Sequence, residues 1–126
     1  MGGRRAARRT ALFLLYQWDL TGQPLASLYE GEIDPYALEI AEEVAAAAPK
    51  LDERITAASV EWSADRLGAI ERNVLRIAVC EISGEKVPNE VAINEAVELA
   101  KRYTTDEAAR FVNGVLGQVA REEAEG

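Results

Sequence analysis

Histidine is absent from this 126-residue chain, cysteine occurs once, and no apolar run approaches the roughly 20 residues that span a bilayer. Without histidine, and with Cys80 as the only thiol, the usual zinc ligands are missing. A lone cysteine also excludes an intramolecular disulfide, which suits a reducing compartment. We therefore expect a cytoplasmic protein with no metal, no cofactor and no membrane contact.

Catalytic groups are also scarce. The commonest general base, histidine, is missing, and Cys80 lies in an apolar pattern typical of a packing residue rather than a nucleophile. The acidic pairs Glu42-Glu43 and Glu122-Glu123 fall on predicted solvated faces and do not converge. No glycine-rich phosphate loop or dinucleotide motif is found. We expect no catalytic residues and no enzymatic activity.

Charge is divided unevenly along the chain. Four arginines and no acid stand among the first nine residues, whereas the other 117 residues carry ten basic and 22 acidic side chains, a net charge of −12. Because salt screens charges over about 10 Å, distant acids only weakly repel a ligand bound at the arginines. Contact with a polyanion should therefore be local and modest.

The apolar spacing is helical throughout, and no segment alternates with a period of two. The chain is predicted to be all-α, as one domain with about seven helices including a doubtful short one. The predicted helices cover about residues 4–20, 25–29, 35–48, 51–62, 65–83, 89–103 and 105 onward. Pro49 is expected to end the third helix, Asp34 to cap it, Gly114 to allow close helix packing, and the charged tail from 121 to 126 to fray.

The arginine block continues in register into the first amphipathic helix. Arg5, Arg9, Leu12 and Tyr16 are predicted to share a flank, where guanidinium groups could bind phosphate while the tyrosine stacks on a base. A basic end that only aids solubility is the alternative. The use of arginine and the lack of a helix-turn-helix or zinc-finger spacing favour single-stranded RNA over duplex DNA.

Glu81 is the unusual residue of the fifth predicted helix, since it continues an apolar row where an unpaired carboxylate would be costly. The sequence leaves two explanations open. Either the helix emerges into water at this point, or the carboxylate meets a cation on a partner protein.

Three motifs together resemble the NusB family of bacterial transcription antitermination factors. They are Glu71-Arg-Asn-Val-Leu-Arg-Ile-Ala78 with Glu81, Val91-Ala-Ile-Asn-Glu-Ala-Val-Glu-Leu-Ala-Lys101, and Phe111-Val-Asn-Gly-Val-Leu116. With the basic start, the resemblance runs from about residue 4 to residue 119. It implies two small helical bundles packed together, an N-terminal subdomain over about 4–60 and a C-terminal one over about 61–124, and a non-enzymatic role.

The resemblance also implies partners and site residues. Family members pair with a ribosomal protein, NusE, and the pair binds boxA elements of ribosomal RNA transcripts, acting on RNA polymerase with other Nus factors. The RNA-binding positions that the resemblance implies are Arg4, Arg5, Arg8, Arg9, Tyr16, Glu107 and Phe111. Glu81 is the candidate contact with the partner protein.

Two rival hypotheses remain at this point. The chain could be the NusB-like RNA-binding module of a ribosomal RNA cytosine methyltransferase, or a structural helical module whose arginines mediate self-association, such as a homodimer.

Overall fold

The secondary structure of the protein is helical wherever it is described. A computed structural model describes residues 3–60 and 62–125, and no strand occurs within these two stretches. The five α-helices are α1 (Gly3–Thr21), α2 (Pro35–Ala58), α3 (Ala69–Ser83), α4 (Asn89–Tyr103) and α5 (Asp106–Glu125), with short 3-10 turns at Leu25–Ser27 and Ala64–Arg66. The all-α prediction is confirmed, with five α-helices and two 3-10 turns in place of about seven helices.

Helix α1 has the predicted extent but a broader buried face. Ala7, Ala11 and Leu15 are buried as expected, and Gly22, with φ +72°, lies directly beyond its end. Leu12, which was predicted to share the exposed flank, is fully buried. The reason is that both α2 and α3 pack against α1, so more than one stripe of the helix is covered.

Helix α2 is a single helix that continues through Pro49, so the predicted break at this proline is wrong. Asp34 caps its start as predicted, because the carboxylate accepts hydrogen bonds from the backbone N–H groups of Tyr36 and Ala37 at 2.8 and 3.3 Å. Pro49 removes one backbone donor. Val44 and Ile55, on either side of it, lie on the same buried face, and their packing holds the helix together across the proline.

Helix α3 occupies the centre of the molecule and packs against the other four helices. It begins at Ala69 rather than near residue 65, because a 3-10 turn over Ala64–Arg66 precedes it. Its buried apolar residues are Val74, Leu75, Ile77, Ala78, Val79 and Ile82. The same helix buries three polar residues, Asn73, Arg76 and Glu81, each of which needs a partner.

Helices α4 and α5 pack together and complete the core. Thr105 caps the start of α5, because its hydroxyl accepts a hydrogen bond from the backbone N–H of Ala108 at 3.0 Å. The predicted fraying is wrong as far as Glu125, since α5 extends to that residue, and Gly126 lies outside the described residues. Gly114 faces open space, so no close packing explains it.

One continuous hydrophobic core joins the helices. The division into two subdomains stays a prediction, and its boundary at 60 and 61 falls partly on a residue outside the described part of the chain. None of the described helices is long and apolar enough to cross a membrane.

Candidate nucleic-acid interface

A cavity of about 230 Å³ lies between the N-terminal part of α1 and the C-terminal part of α4. Its lining residues are Arg5, Arg9, Glu95, Glu98, Leu99, Lys101 and Arg102. Arg5 and Arg9 are one helical turn apart, so both face the cavity. Lys101 and Arg102 belong to the last turn of α4, where the helix dipole favours cations. Four cations and two carboxylates therefore meet in one cavity.

Arg5 is the most exposed of the paired cations and is tied to Glu95. Its Nε and Nη2 atoms donate to the two oxygens of the Glu95 carboxylate at 3.1 and 2.7 Å, while 67% of the arginine side chain and 15% of the glutamate side chain are exposed. The bond to Arg5 lowers the pKa of Glu95 below its usual value, and the same bond raises the pKa of Arg5. The predicted cationic residue is therefore accessible but already neutralised.

Arg8 is placed differently from its prediction, because its side chain is only 4% exposed. Its Nε donates to both carboxylate oxygens of Glu81 at 3.1 and 2.9 Å. Its Nη2 lies 2.9 Å from Glu81 Oε2 but without hydrogen-bond alignment, and it has no other hydrogen-bond partner among the described atoms. In this structure Arg8 cannot touch a ligand on the surface.

Glu81 fits neither explanation that the sequence left open. It is 1% exposed, so the helix does not emerge into water there, and its cation is Arg8 of the same chain rather than one on a partner. The Tyr36 hydroxyl donates a short hydrogen bond of 2.5 Å to Glu81 Oε2. Burial and this bond raise the pKa of Tyr36 well above its usual value. Arg8, Glu81 and Tyr36 form a buried cluster that joins α1, α2 and α3.

Arg4 and Arg9 flank this cluster on α1. The Arg4 guanidinium lies 4.3 Å from the centre of the Tyr36 ring, a cation–π contact, and its Nη1 donates to the backbone carbonyl of Lys86 at 3.4 Å. Arg4 is not among the cavity residues, whereas Arg9 is, and within residues 3–60 and 62–125 Arg9 pairs with no carboxylate. Of the four arginines, Arg9 is thus the one least engaged in contacts with the described residues.

Aromatic side chains continue the Arg5 and Arg9 face of α1. Phe13 and Tyr16 follow at helical spacing and are both partly exposed. Phe13 packs edge-on against Tyr103, with ring centres 5.1 Å apart, and Arg102 lies 5.6 Å from the centre of the Tyr103 ring. Exposed rings beside guanidinium groups are what unpaired bases stack on.

Glu107 and Phe111 lie apart from the α1–α4 cavity. They line a separate groove with Trp62, Arg66 and Arg110. A third concavity shares Lys101 with the α1–α4 cavity and Arg110 with this groove, and Asp106 also lines it. Glu107 and Phe111 do not share a cavity with Arg5, but a neighbouring concavity links the two sites. Their role in an adjoining RNA surface stays a prediction.

Cys80 is half-buried on α3. Its thiol donates to Glu43 Oε2 at 3.6 Å, and burial together with that carboxylate raises the pKa of Cys80 to about 12. The thiolate needed for nucleophilic chemistry is therefore scarce near neutral pH.

The sequence profile of the NusB family matches residues 5–121, which is most of the chain. The chain belongs to the NusB family. It is 42% identical to the transcription antitermination protein NusB of Rubrobacter xylanophilus over 90% of this chain and 86% of that protein. It is 37% identical to the NusB of Solibacter usitatus over 97% of this chain and 91% of that protein.

A solved structure of antitermination factors NusB and NusE in complex with double-stranded RNA has the same fold. The TM-score is 0.82 at 31% identity, covering 97% of this chain and 98% of that one. The family resemblance that the sequence motifs indicated is thereby confirmed. The roles of the individual residues stay predictions.

Sequence reasoning missed three side chains at this candidate interface: Phe13, Lys101 and Arg102. Lys101 closes the quoted α4 motif, and the two cations sit at the end of that helix, which is a readable signal. Their proximity to Arg5 is a tertiary contact between residues more than 90 positions apart, which no local pattern encodes.

Proposed function

We propose that this protein is a non-catalytic, cytoplasmic antitermination factor that binds boxA RNA together with the ribosomal protein NusE. The observation that carries the proposal is the α1–α4 cavity, where Arg5, Arg9, Lys101 and Arg102 converge on an otherwise acidic protein. Other Nus factors and RNA polymerase would be engaged indirectly, through the assembled RNA complex.

The cavity supplies phosphate contacts, and the neighbouring rings supply base contacts. Guanidinium groups bind phosphate oxygens in a bidentate manner, and arginine also stacks on bases. Tyr16 and Phe13 would stack bases next to those phosphates. The groove with Glu107 and Phe111 would take RNA leaving the cavity by way of Lys101 and Arg110. A strand of a few nucleotides then crosses α1, α4 and α5.

Arg8 and Glu81 take supporting rather than contacting roles in this proposal. Their buried pair fixes the first turns of α1 against α3, and so sets where Arg4, Arg5 and Arg9 stand. Glu81 is not available for NusE in this structure, so the partner must use other residues.

A partner is needed because few phosphates are contacted. Four contacts on a single strand give a log–log salt slope of only about −3, so the protein alone should bind RNA weakly. The NusB and NusE complex with RNA named above supports a shared RNA surface. A second protein bound to the same RNA adds affinity without new contacts from this chain.

The test is a titration of fluorescent boxA RNA, a scrambled strand and a boxA duplex, with and without NusE. The Arg5→Ala/Arg9→Ala variant should bind boxA about ten-fold or more weakly, and its salt slope should be shallower by about 0.7 for each phosphate that the protein no longer binds. NusE should tighten binding of the unaltered protein by about ten-fold or more.

Arg54→Ala/Arg121→Ala is the matched control, since it removes the same charge outside the cavity. Equal binding by the cavity variant and the control, or no gain from NusE, would contradict the proposal. Tighter binding of the duplex than of the single strand would overturn the single-stranded form of the ligand.

Self-association is the second candidate, because Phe13, Tyr16 and Leu20 expose apolar surface on one face of α1. A dimer through that face would cover part of the RNA site, so sedimentation should then depend on concentration and RNA should dissociate the dimer. The relatives named above are antitermination proteins, and they lend no support to the methyltransferase alternative.

A further inference from the structure

We propose that Glu95 is a built-in competitor of RNA phosphate for Arg5, so that RNA binds by exchanging one anion for another. The inference rests on the proposed function and adds a regulatory residue to it. Glu95 would determine the affinity of the cavity for RNA and the salt dependence of that affinity.

The pairing of Arg5 with Glu95 has the form of an arginine–phosphate contact. Two parallel N–H groups point at two oxygens of one anion, at 3.1 and 2.7 Å. A carboxylate inside a cavity lined by four cations occupies the place where a phosphate group would be held. Phosphate cannot make the same bidentate contact with Arg5 until Glu95 releases it.

After the exchange, the Glu95 carboxylate still has a cation nearby. Glu95 Oε1 also lies 3.6 Å from Arg8 Nη1, and Arg8 is fixed in place by its pair with Glu81. When Arg5 turns outward, Arg8 remains as the cation of Glu95. Arg5 is free to turn because most of its side chain is exposed, whereas Arg8 has no such freedom.

Glu98 provides a comparison inside the same cavity. It carries the same charge one helical turn from Glu95, but its salt bridge is a 4.0 Å contact with Lys101 on its own helix, and its side chain is largely exposed. Glu98 therefore repels a phosphate in general, without occupying Arg5.

A carboxylate that competes for Arg5 and one that only repels phosphate should change the salt dependence of RNA affinity differently. RNA binding to a bare arginine releases a condensed cation from the RNA, and nothing on the protein is displaced. In the unaltered protein the Arg5 contact leaves Glu95 with Arg8 alone, at 3.6 Å, and the partly compensated carboxylate attracts a solution cation in return. Removing the Glu95 charge should thus increase the net number of ions released by a fraction of one.

The experiment measures boxA RNA affinity against salt for Glu95→Gln, for Glu98→Gln and for each change combined with Arg5→Ala. We expect Glu95→Gln to tighten binding about three- to five-fold at low salt and to steepen the log–log slope by a fraction of the roughly 0.7 that one phosphate contact contributes. Glu98→Gln should tighten it by less than about two-fold, because it only removes a general repulsion. In the Arg5→Ala background the two changes should have equal effects.

Each alternative result has a definite meaning. Weaker binding by Glu95→Gln would show that the carboxylate positions Arg5 productively, and equal effects of the two changes with Arg5 present would show general repulsion. Either result overturns the competitor role while RNA binding itself stands. Absence of RNA binding by every variant, with NusE present, overturns the proposed function and the inference with it. Thermal unfolding of each variant confirms that the fold is kept.

Discussion

Arg5 and Arg8 stand three residues apart on the same helix and have opposite environments. Arg8 is 4% exposed and paired with a glutamate that is 1% exposed, whereas Arg5 is 67% exposed and paired with a glutamate that is 15% exposed and lines a cavity. The α3 helix lies against one side of α1 and creates this difference. An arginine block in a sequence is thus divided by tertiary packing into residues that build the fold and residues that meet the ligand.

The two pairs should also differ in energy. An exposed ion pair contributes little, because water screens both charges. A buried pair gains little over an apolar pair of the same shape, but removal of one partner leaves a charge without compensation, which typically costs about 3–5 kcal/mol. Removing one partner from each pair tests this difference.

The largest effect should come from Glu81→Ala, which leaves the buried Arg8 guanidinium with only the longer 3.6 Å contact to Glu95. We expect the free energy of unfolding to fall by about 3–5 kcal/mol, measured by urea titration followed by circular dichroism. Arg8→Ala should be similarly destabilising, so a triple alanine change at Arg5, Arg8 and Arg9 would not test RNA binding on an intact fold.

The control is Arg5→Ala, which should unfold at nearly the same urea concentration as the unaltered protein. A double change, Arg8→Met/Glu81→Leu, should cost less than either single alanine change, because no charge is left alone. Similar stability of the Glu81 and Arg5 variants would remove the distinction between the two arginines.

A smaller effect is expected for Tyr36→Phe, which removes one donor from the buried carboxylate while leaving Arg8 in place. Hydrogen bonds to charged groups contribute about 1.5–3 kcal/mol, so the loss of stability should lie in this range. The same urea titration measures it. Tyr16→Phe removes an exposed hydroxyl on α1 and should leave stability unchanged; an equal loss in both variants would show that the Tyr36 bond adds nothing.

The smallest effect concerns pH. Arg5 lowers the pKa of Glu95, so the stability that this pair contributes is present above the usual glutamate pKa and is lost as pH falls through the lowered value. An NMR titration of the Glu95 carboxyl should show a pKa below the usual range that moves back up in Arg5→Ala. An unchanged pKa in that variant would mean that Arg5 does not hold Glu95 in solution.

Local chemistry in the sequence was enough to predict several elements. Asp34 caps α2 because an aspartate before a proline is a signal contained in adjacent residues. The spacing of apolar residues similarly predicts α1, α4 and the buried rows of α3. The motifs of α4 and α5 indicate the family correctly, since they are specific as residue patterns.

The errors share a physical origin in contacts between distant residues. Helix α2 passes through Pro49 because packing on both sides outweighs one missing hydrogen bond. Glu81 was recognised as unusual and Arg8 only as one of the arginine block, because 73 positions separate the two residues that pair. Lys101 and Arg102 became visible as site residues only when α4 was placed beside α1.

The concentration of cations around one end of α1 has a consequence for how the protein encounters long polyanions. Since the rest of the chain carries a net negative charge, long-range repulsion favours the approach of RNA from the side that presents these cations. We therefore expect the protein to bind a single stretch of RNA rather than to coat it or slide along it.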